Sequence, residues 1–164
     1  ERVGESTVAL DNQIATLAQL VGDAGRITLA DVEANVAQIA EVSPWAFADA
    51  VCERNAPRAM EMLNLMKAPS LVFLHSVLVA RLRELICAKS LDARGAASGL
   101  ARELGRQSWQ VKNHVRWSRA FGEEELVELL GQAAVCERAL KGSQDSEAAF
   151  ARFVLAMASP NAAR

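Results

Sequence analysis

Apolar positions recur at three- and four-residue spacing along almost the whole chain, and no stretch alternates with period two for long. That spacing gathers side chains on one face of a helix and argues against half-buried strands. Leu10, Ile14, Leu17 and Val21 form the first stripe, with Ser6 or Thr7 as N-cap and Gly22 to Gly25 as the stop. Thr28 and Asp31 make a T-x-x-D cap ahead of Val32, Val36 and Ile39. Ser43-Pro44 opens a helix through Trp45, Phe47 and Val51, and Asn55-Ala56-Pro57 opens another carrying Ala59, Met62, Leu63 and Met66. The segment from Pro69 to about Leu91 is apolar on most sides, as a central buried helix is, and Asp92-Ala93-Arg94-Gly95 ends it. A short helix from Ala97 to Leu104 stops at Gly105. Ser108 is expected to cap a helix running to Ala120. After Gly122 comes Glu123 to Leu140, facing inward with Leu126, Leu129 or Leu130, Ala133 and Leu140, and its three opening glutamates suit a helix N-terminus. Asp145 or Ser146 caps the last helix, with Phe150, Phe153, Val154 and Met157. The pattern predicts an all-α protein of about nine helices joined by short loops.

Composition strengthens this reading. Of 164 residues, 31 are Ala and 19 Leu, the two strongest apolar helix formers, while aromatics are 5% and Tyr is absent. A β-sandwich or barrel needs far more β-branched and aromatic residues. The net charge of −2 excludes a strongly cationic nucleic-acid binder. Cys52, Cys87 and Cys136 are odd in number and set in helical stretches, so they read as buried free thiols of a reducing, cytoplasmic compartment. The longest uncharged run, Ala68 to Ala80, falls short of the roughly 20 residues of a membrane span. No membrane partner is expected. The chain starts at Glu1 without Met, as a piece of a longer protein would.

Charge is unevenly split. Residues 1–42 hold seven acids and two bases, net −5; residues 43–164 hold thirteen acids and sixteen bases, net +3. The step coincides with the helix break at Glu41-Val42-Ser43-Pro44. Two domains are expected: a small acidic helical unit, 1–42, and a larger helical bundle, 43–164.

Motifs for chemistry are missing. There is no phosphate loop, no G-x-G-x-x-G, no C-x-x-C and no H-E-x-x-H, so no catalytic residue, metal or cofactor is expected. His75 reads as a core or edge histidine and His114, among Lys112, Asn113, Arg116 and Arg119, as a solvated one. The most distinctive surface feature lies on the helix expected from Ser108 to Ala120. There Lys112, Arg116 and Arg119 fall at i, i+4 and i+7, with Arg102 and Arg106 upstream. This basic stripe fits a contact with DNA phosphates or an acidic partner surface. A solvated face opposite Glu123, Glu124, Glu125 and Glu128 fits it better. Trp109 and Trp117 are expected in the core rather than stacked on bases, and Met60, Met62 and Met66 as core filler.

The order of segments is more specific than any motif. Leu10-Asp11-Asn12-Gln13-Ile14-Ala15-Thr16-Leu17, then Gly22-Asp23, then Ile27-Thr28-Leu29-Ala30-Asp31-Val32 resembles the helical lid of clamp-loader subunits. Trp45-Ala46-Phe47-Ala48-Asp49-Ala50-Val51, Ala56-Pro57-Arg58-Ala59-Met60-Glu61-Met62-Leu63 and Leu78-Val79-Ala80-Arg81-Leu82-Arg83-Glu84-Leu85 follow the same plan. So do Leu100-Ala101-Arg102-Glu103-Leu104-Gly105, Ser118-Arg119-Ala120-Phe121 and Glu137-Arg138-Ala139-Leu140-Lys141-Gly142. Together they resemble the C-terminal two-thirds of the delta subunits of bacterial DNA polymerase III, the clamp-loader family. Gln13 and Thr16 stand where that family has Glu and Lys, and Glu137 where it commonly has Asp.

The resemblance implies an AAA+-type lid over 1–42, shortened at its start, and a collar domain over 43–164. It implies a non-catalytic assembly role, with the collar binding the other loader subunits. The sliding clamp would be met by an N-terminal domain upstream of Glu1, and DNA indirectly or weakly. Arg106, Lys112, Arg116 and Arg119 would then be candidates for touching a neighbouring subunit or DNA. The rival is a helical adaptor module of another AAA+-related protein.

Overall fold

The computed structural model describes residues 11–12, 14–15, 17–19, 26–28, 32, 42–142 and 145–160. The chain divides into two compact units, Glu1–Glu41 and Val42–Arg164. In the first, residues 11–12, 14–15 and 17–19 are helical and Leu17 is buried. Val32 is also helical, its N–H donating to the Thr28 carbonyl at 3.2 Å. The expected Ser6 or Thr7 cap, the Gly22–Gly25 stop and the Asp31, Val36 and Ile39 positions lie outside the described residues.

The second unit is helical throughout, and no strand occurs among the described residues, as the all-α reading requires. Its elements are α1 (Pro44–Cys52), α2 (Ala56–Leu65), α3 (Leu71–Ala93), a 3-10 turn (Ala97–Gly99), α4 (Leu100–Glu103), α5 (His114–Ser118), α6 (Glu123–Gly142) and α7 (Ser146–Ala158). Local chemistry sets several boundaries. Ser43 Oγ accepts from Trp45 N at 3.3 Å, Asn55 Oδ1 from Arg58 N at 3.1 Å and Ser70 Oγ from Phe73 N at 3.4 Å. Each satisfies a donor that the first helical turn leaves orphaned. Gly122 N donates to Glu125 Oε2 at 3.0 Å, the backward half of a capping box. Gly95 and Gly105 close the ends of α3 and α4 at φ +68° and +60°, where a Cβ is strained.

Helix α3 is the spine. It packs against α1, α5 and α6, while α7 closes the bundle against α6, α2 and α1. Leu74, Leu78, Leu82 and Leu85 enter the main core beside Phe47, Val51, Phe121, Leu126, Phe150 and Met157. One turn further on, Ala88 and Leu91 join Leu100 and Val111 in a second, smaller cluster. Met60, Met62 and Met66 pack against the main core from its edge. The first turn of α3 departs from the expected all-round burial, for Val72 and Phe73 are exposed.

One expected helix is largely missing. Residues 107–113 are non-helical, mostly turn, and only His114–Ser118 is α-helical. Gln107 O accepts from Gln110 N at 3.0 Å, while Gln107 N donates to Gln110 Oε1 at 2.9 Å. This doubly closed turn replaces the helical start expected at Ser108. Val111 is drawn instead into the second core cluster. Among the described residues no helix is long and apolar enough to cross a membrane.

Candidate functional site

The polar centre of the second unit is Glu84, which projects from the middle of α3 and is buried. Its Oε2 lies 2.9 Å from His114 Nε2 and 3.0 Å from an Arg81 guanidinium nitrogen. Its Oε1 lies 3.3 Å from Arg106. Arg81 also reaches Asp49 of α1 at 3.1 Å. One carboxylate therefore grips both flanks of the 106–114 segment, Arg106 before the turn and His114 after it. Burial alone raises the Glu84 carboxyl pKa, but hydrogen bonds and charge from His114 and Arg81 outweigh it and hold it at about 2. His114 Nε2 also lies 3.0 Å from Arg81 Nη1, so it stands between an acceptor, the Glu84 carboxylate, and a donor, and its own role follows the tautomer. Burial pushes the Asp49 carboxyl up in spite of Arg81.

His114 corrects the sequence reading. Expected in solvent, it is 0% exposed, against Trp117 with ring centroids 5.3 Å apart. The signal that could have found it is Glu84, thirty residues upstream and invisible to any local pattern. His75 is a core histidine: Nε2 is 3.0 Å from the Ala133 carbonyl and its ring rests near Phe153. Trp117 is buried as expected, but Trp109 is not; it is 71% exposed on the 107–110 turn.

The four basic candidates do not share one helical face. Lys112 lies in the turn region before α5, exposed, with no ion pair among the described residues. Arg106 is held by Glu84. Arg116 stands 3.6 Å from Glu53. Arg119 makes a forked pair with Asp92, at 2.7 and 2.9 Å. The arginines' acidic partners thus come from α1's end and α3, not from the glutamates that open α6. The hydrogen bond from Arg119 holds the Asp92 carboxyl below its ordinary range.

An open depression of about 410 Å³ is lined by Cys52, Glu53, Arg116, Trp117 and Ala120. Its cysteine is fully buried, and that burial pushes the Cys52 thiol up to about 12. Burial also raises Cys87 and Cys136. Among the described residues no three His, Cys, Asp or Glu side chains gather to hold a metal ion.

No curated protein matches the sequence. Among solved structures the chain is similar to the Bacillus subtilis DNA clamp loader delta protein (YqeN), with a TM-score of 0.62 and 22% identity. The match covers 96% of this chain and 48% of that one, so this chain spans about half of its neighbour's length. At that identity the likeness is one of fold. The family model described as DNA polymerase III delta subunit, C-terminal domain, matches residues 43–157, nearly the whole of the second unit. The chain belongs to this family, that of the C-terminal domains of DNA polymerase III delta subunits.

Proposed function

We propose that this chain is the lid and collar portion of a clamp-loader delta subunit, with residues 1–42 as lid and 43–164 as collar. The observation that carries the reading is the family match over 43–157, which coincides with a compact helical unit. The role is non-catalytic. The collar joins the other loader subunits, so that the sliding clamp can be opened and placed on DNA in the cytoplasm. Contact with the clamp itself falls to an N-terminal domain outside this chain. Arg106, Lys112, Arg116 and Arg119 belong to the surface that meets a neighbouring subunit or DNA. Exposed Val127 and Val135 on α6 support a packing role, since they lie eight residues apart on one helical face.

The test is co-purification of the full-length protein with the other loader subunits. Joining the complex is the expected result. Failure to join, with the protein folded, sinks the reading and favours an adaptor role elsewhere.

A further inference from the structure

Helix α6 has one face in the core and an apolar one left outside it. Leu126, Leu129, Ala133 and Cys136 are buried in the main cluster. The opposite face runs through Glu124, Val127, Gly131, Val135 and Arg138, at intervals of three, four, four and three residues, and all five are exposed. A surface helix ordinarily turns charge to solvent on that side. Here the middle of the line is apolar, with Val127 67% and Val135 58% exposed, and along it charge stands only at the two ends.

Gly131 is its centre. A glycine inside a helix is less favourable than alanine, so its place needs a reason. Nothing among the described residues supplies one: its φ is not positive, and a Cβ built there meets no atom within 4 Å. The close approach of another backbone does supply one.

The line is also its own complement. Turned end for end about Gly131, Val127 meets Val135, Gly131 meets Gly131 and Glu124 meets Arg138, because the members of each pair are equally far from the centre. Neither Glu124 nor Arg138 forms an ion pair among the described residues, and Glu137, the acid beside Arg138, is held by Lys141 at 2.7 Å. An unrelated partner would need only the apolar middle. A two-fold contact between identical chains also accounts for opposite charges at equal distances from it.

We infer that this face of α6 is a self-association surface, on which a second copy of the chain lays its own α6 antiparallel. The two helices cross at Gly131, Val127 packs on the partner's Val135, and Glu124 pairs with the partner's Arg138. The inference goes beyond the assembly role proposed above. Because that role draws on the same two valines, the dimer belongs to the chain outside the loader.

Sedimentation equilibrium of the full chain tests it. A monomer–dimer equilibrium is expected, with Kd on the order of 10–100 µM, since one helix face from each copy is smaller than a standard interface. Gly131→Gln is expected to raise Kd roughly tenfold or more. Its urea midpoint stays at or above that of the wild type, because the variant also removes a glycine from a helix interior. Glu124→Arg is expected to raise Kd about three- to thirtyfold, since the two-fold repeats the modest effect of an exposed pair. Adding Arg138→Glu exchanges the charges, and Kd is expected to return to within about threefold of the wild type. A chain that stays monomeric up to about 1 mM overturns the inference, as does dimerisation that Gly131→Gln leaves unchanged. Failure of the double reversal to recover what Glu124→Arg loses also overturns it, because antiparallel helices alone bring these two ends together. A monomeric chain in which Gly131→Gln abolishes co-purification with the loader overturns it too and assigns the face to a different subunit. Sedimentation of the chain by itself does not depend on whether it joins the loader, so the two readings fail separately.

Discussion

Arg54 carries more of the second unit than its place in a short turn suggests. Its backbone sits at φ 60°, a conformation that costs a non-glycine residue roughly 1 kcal/mol. Its guanidinium donates to the carbonyls of Ala120 at 3.2 Å, Met157 at 3.3 Å and Ser159 at 2.6 Å, and it pairs with Glu125. It also lies 3.9 Å over the Phe121 ring. Ala120 follows α5, while Met157 and Ser159 belong to the last turn and the C-cap of α7; helix ends of this kind leave carbonyls without intrahelical donors. One cation thus satisfies acceptors from two separate helix ends, a task suited to the planar fork of arginine. Truncation leaves Glu125 and those carbonyls short of a donor in a side-chain environment only 7% exposed on the arginine side. Arg54→Ala is expected to cost about 3–5 kcal/mol in urea unfolding, and Arg54→Lys to recover less than half of it. A cost below about 1 kcal/mol for Arg54→Ala would show that water replaces these bonds.

Between elements, Glu84 ties the segment before α5 to α3. Its folded pKa of about 2 lies below the ordinary 4.5, so its contribution is complete above about pH 4.5 and fades as pH falls towards 2. In Glu84→Gln the bond from His114 survives in weakened form, but Arg81 and Arg106 lose their shared countercharge. The stability gap between wild type and Glu84→Gln is therefore expected to be largest at neutral pH, on the order of 3 kcal/mol, and to shrink between pH 4.5 and 2. Urea midpoints at about pH 7 and about pH 3 measure it. A gap that stays constant over that range places the stabilisation elsewhere. The same carboxylate marks where the sequence stops being legible. Ser43, Asn55, Gly95 and Gly105 announce their turns because the chemistry is local: a side-chain oxygen beside an orphan N–H, or a missing Cβ. The stretch from 107 to 113 has the spacing of a helix and is not one. What decides it is a contact from Arg106 and His114 to a residue on another helix, and a place for Val111 in a separate core cluster. Lys112, Arg116 and Arg119 consequently lose the common face that helical spacing assigns them, and Trp109 gains solvent. The arginine partners are equally hidden, since Glu53 and Asp92 lie far from them in sequence.

For the whole molecule, the division at Glu41 and Val42 has a thermodynamic consequence. The second unit holds nearly all of the described buried apolar side chains, from Phe47 to Ala158, with Leu17 the exception. Its two clusters are joined through α3, and α5 bridges them as well with Trp117 in the larger and Val115 against the smaller, so loss of one removes support from the other. Its caps and its Arg54 and Glu84 ties all close within residues 43–159. A domain of this size, with its own core and satisfied helix ends, can fold as one cooperative unit. A fragment of residues 42–160 is therefore expected to unfold in a single transition, with far-UV and fluorescence midpoints coinciding. Its urea midpoint should fall close to that of the second unit within the full chain. Two separated transitions would mean that α3 does not couple the clusters, and a fragment without cooperative unfolding would mean that residues 1–41 complete the core.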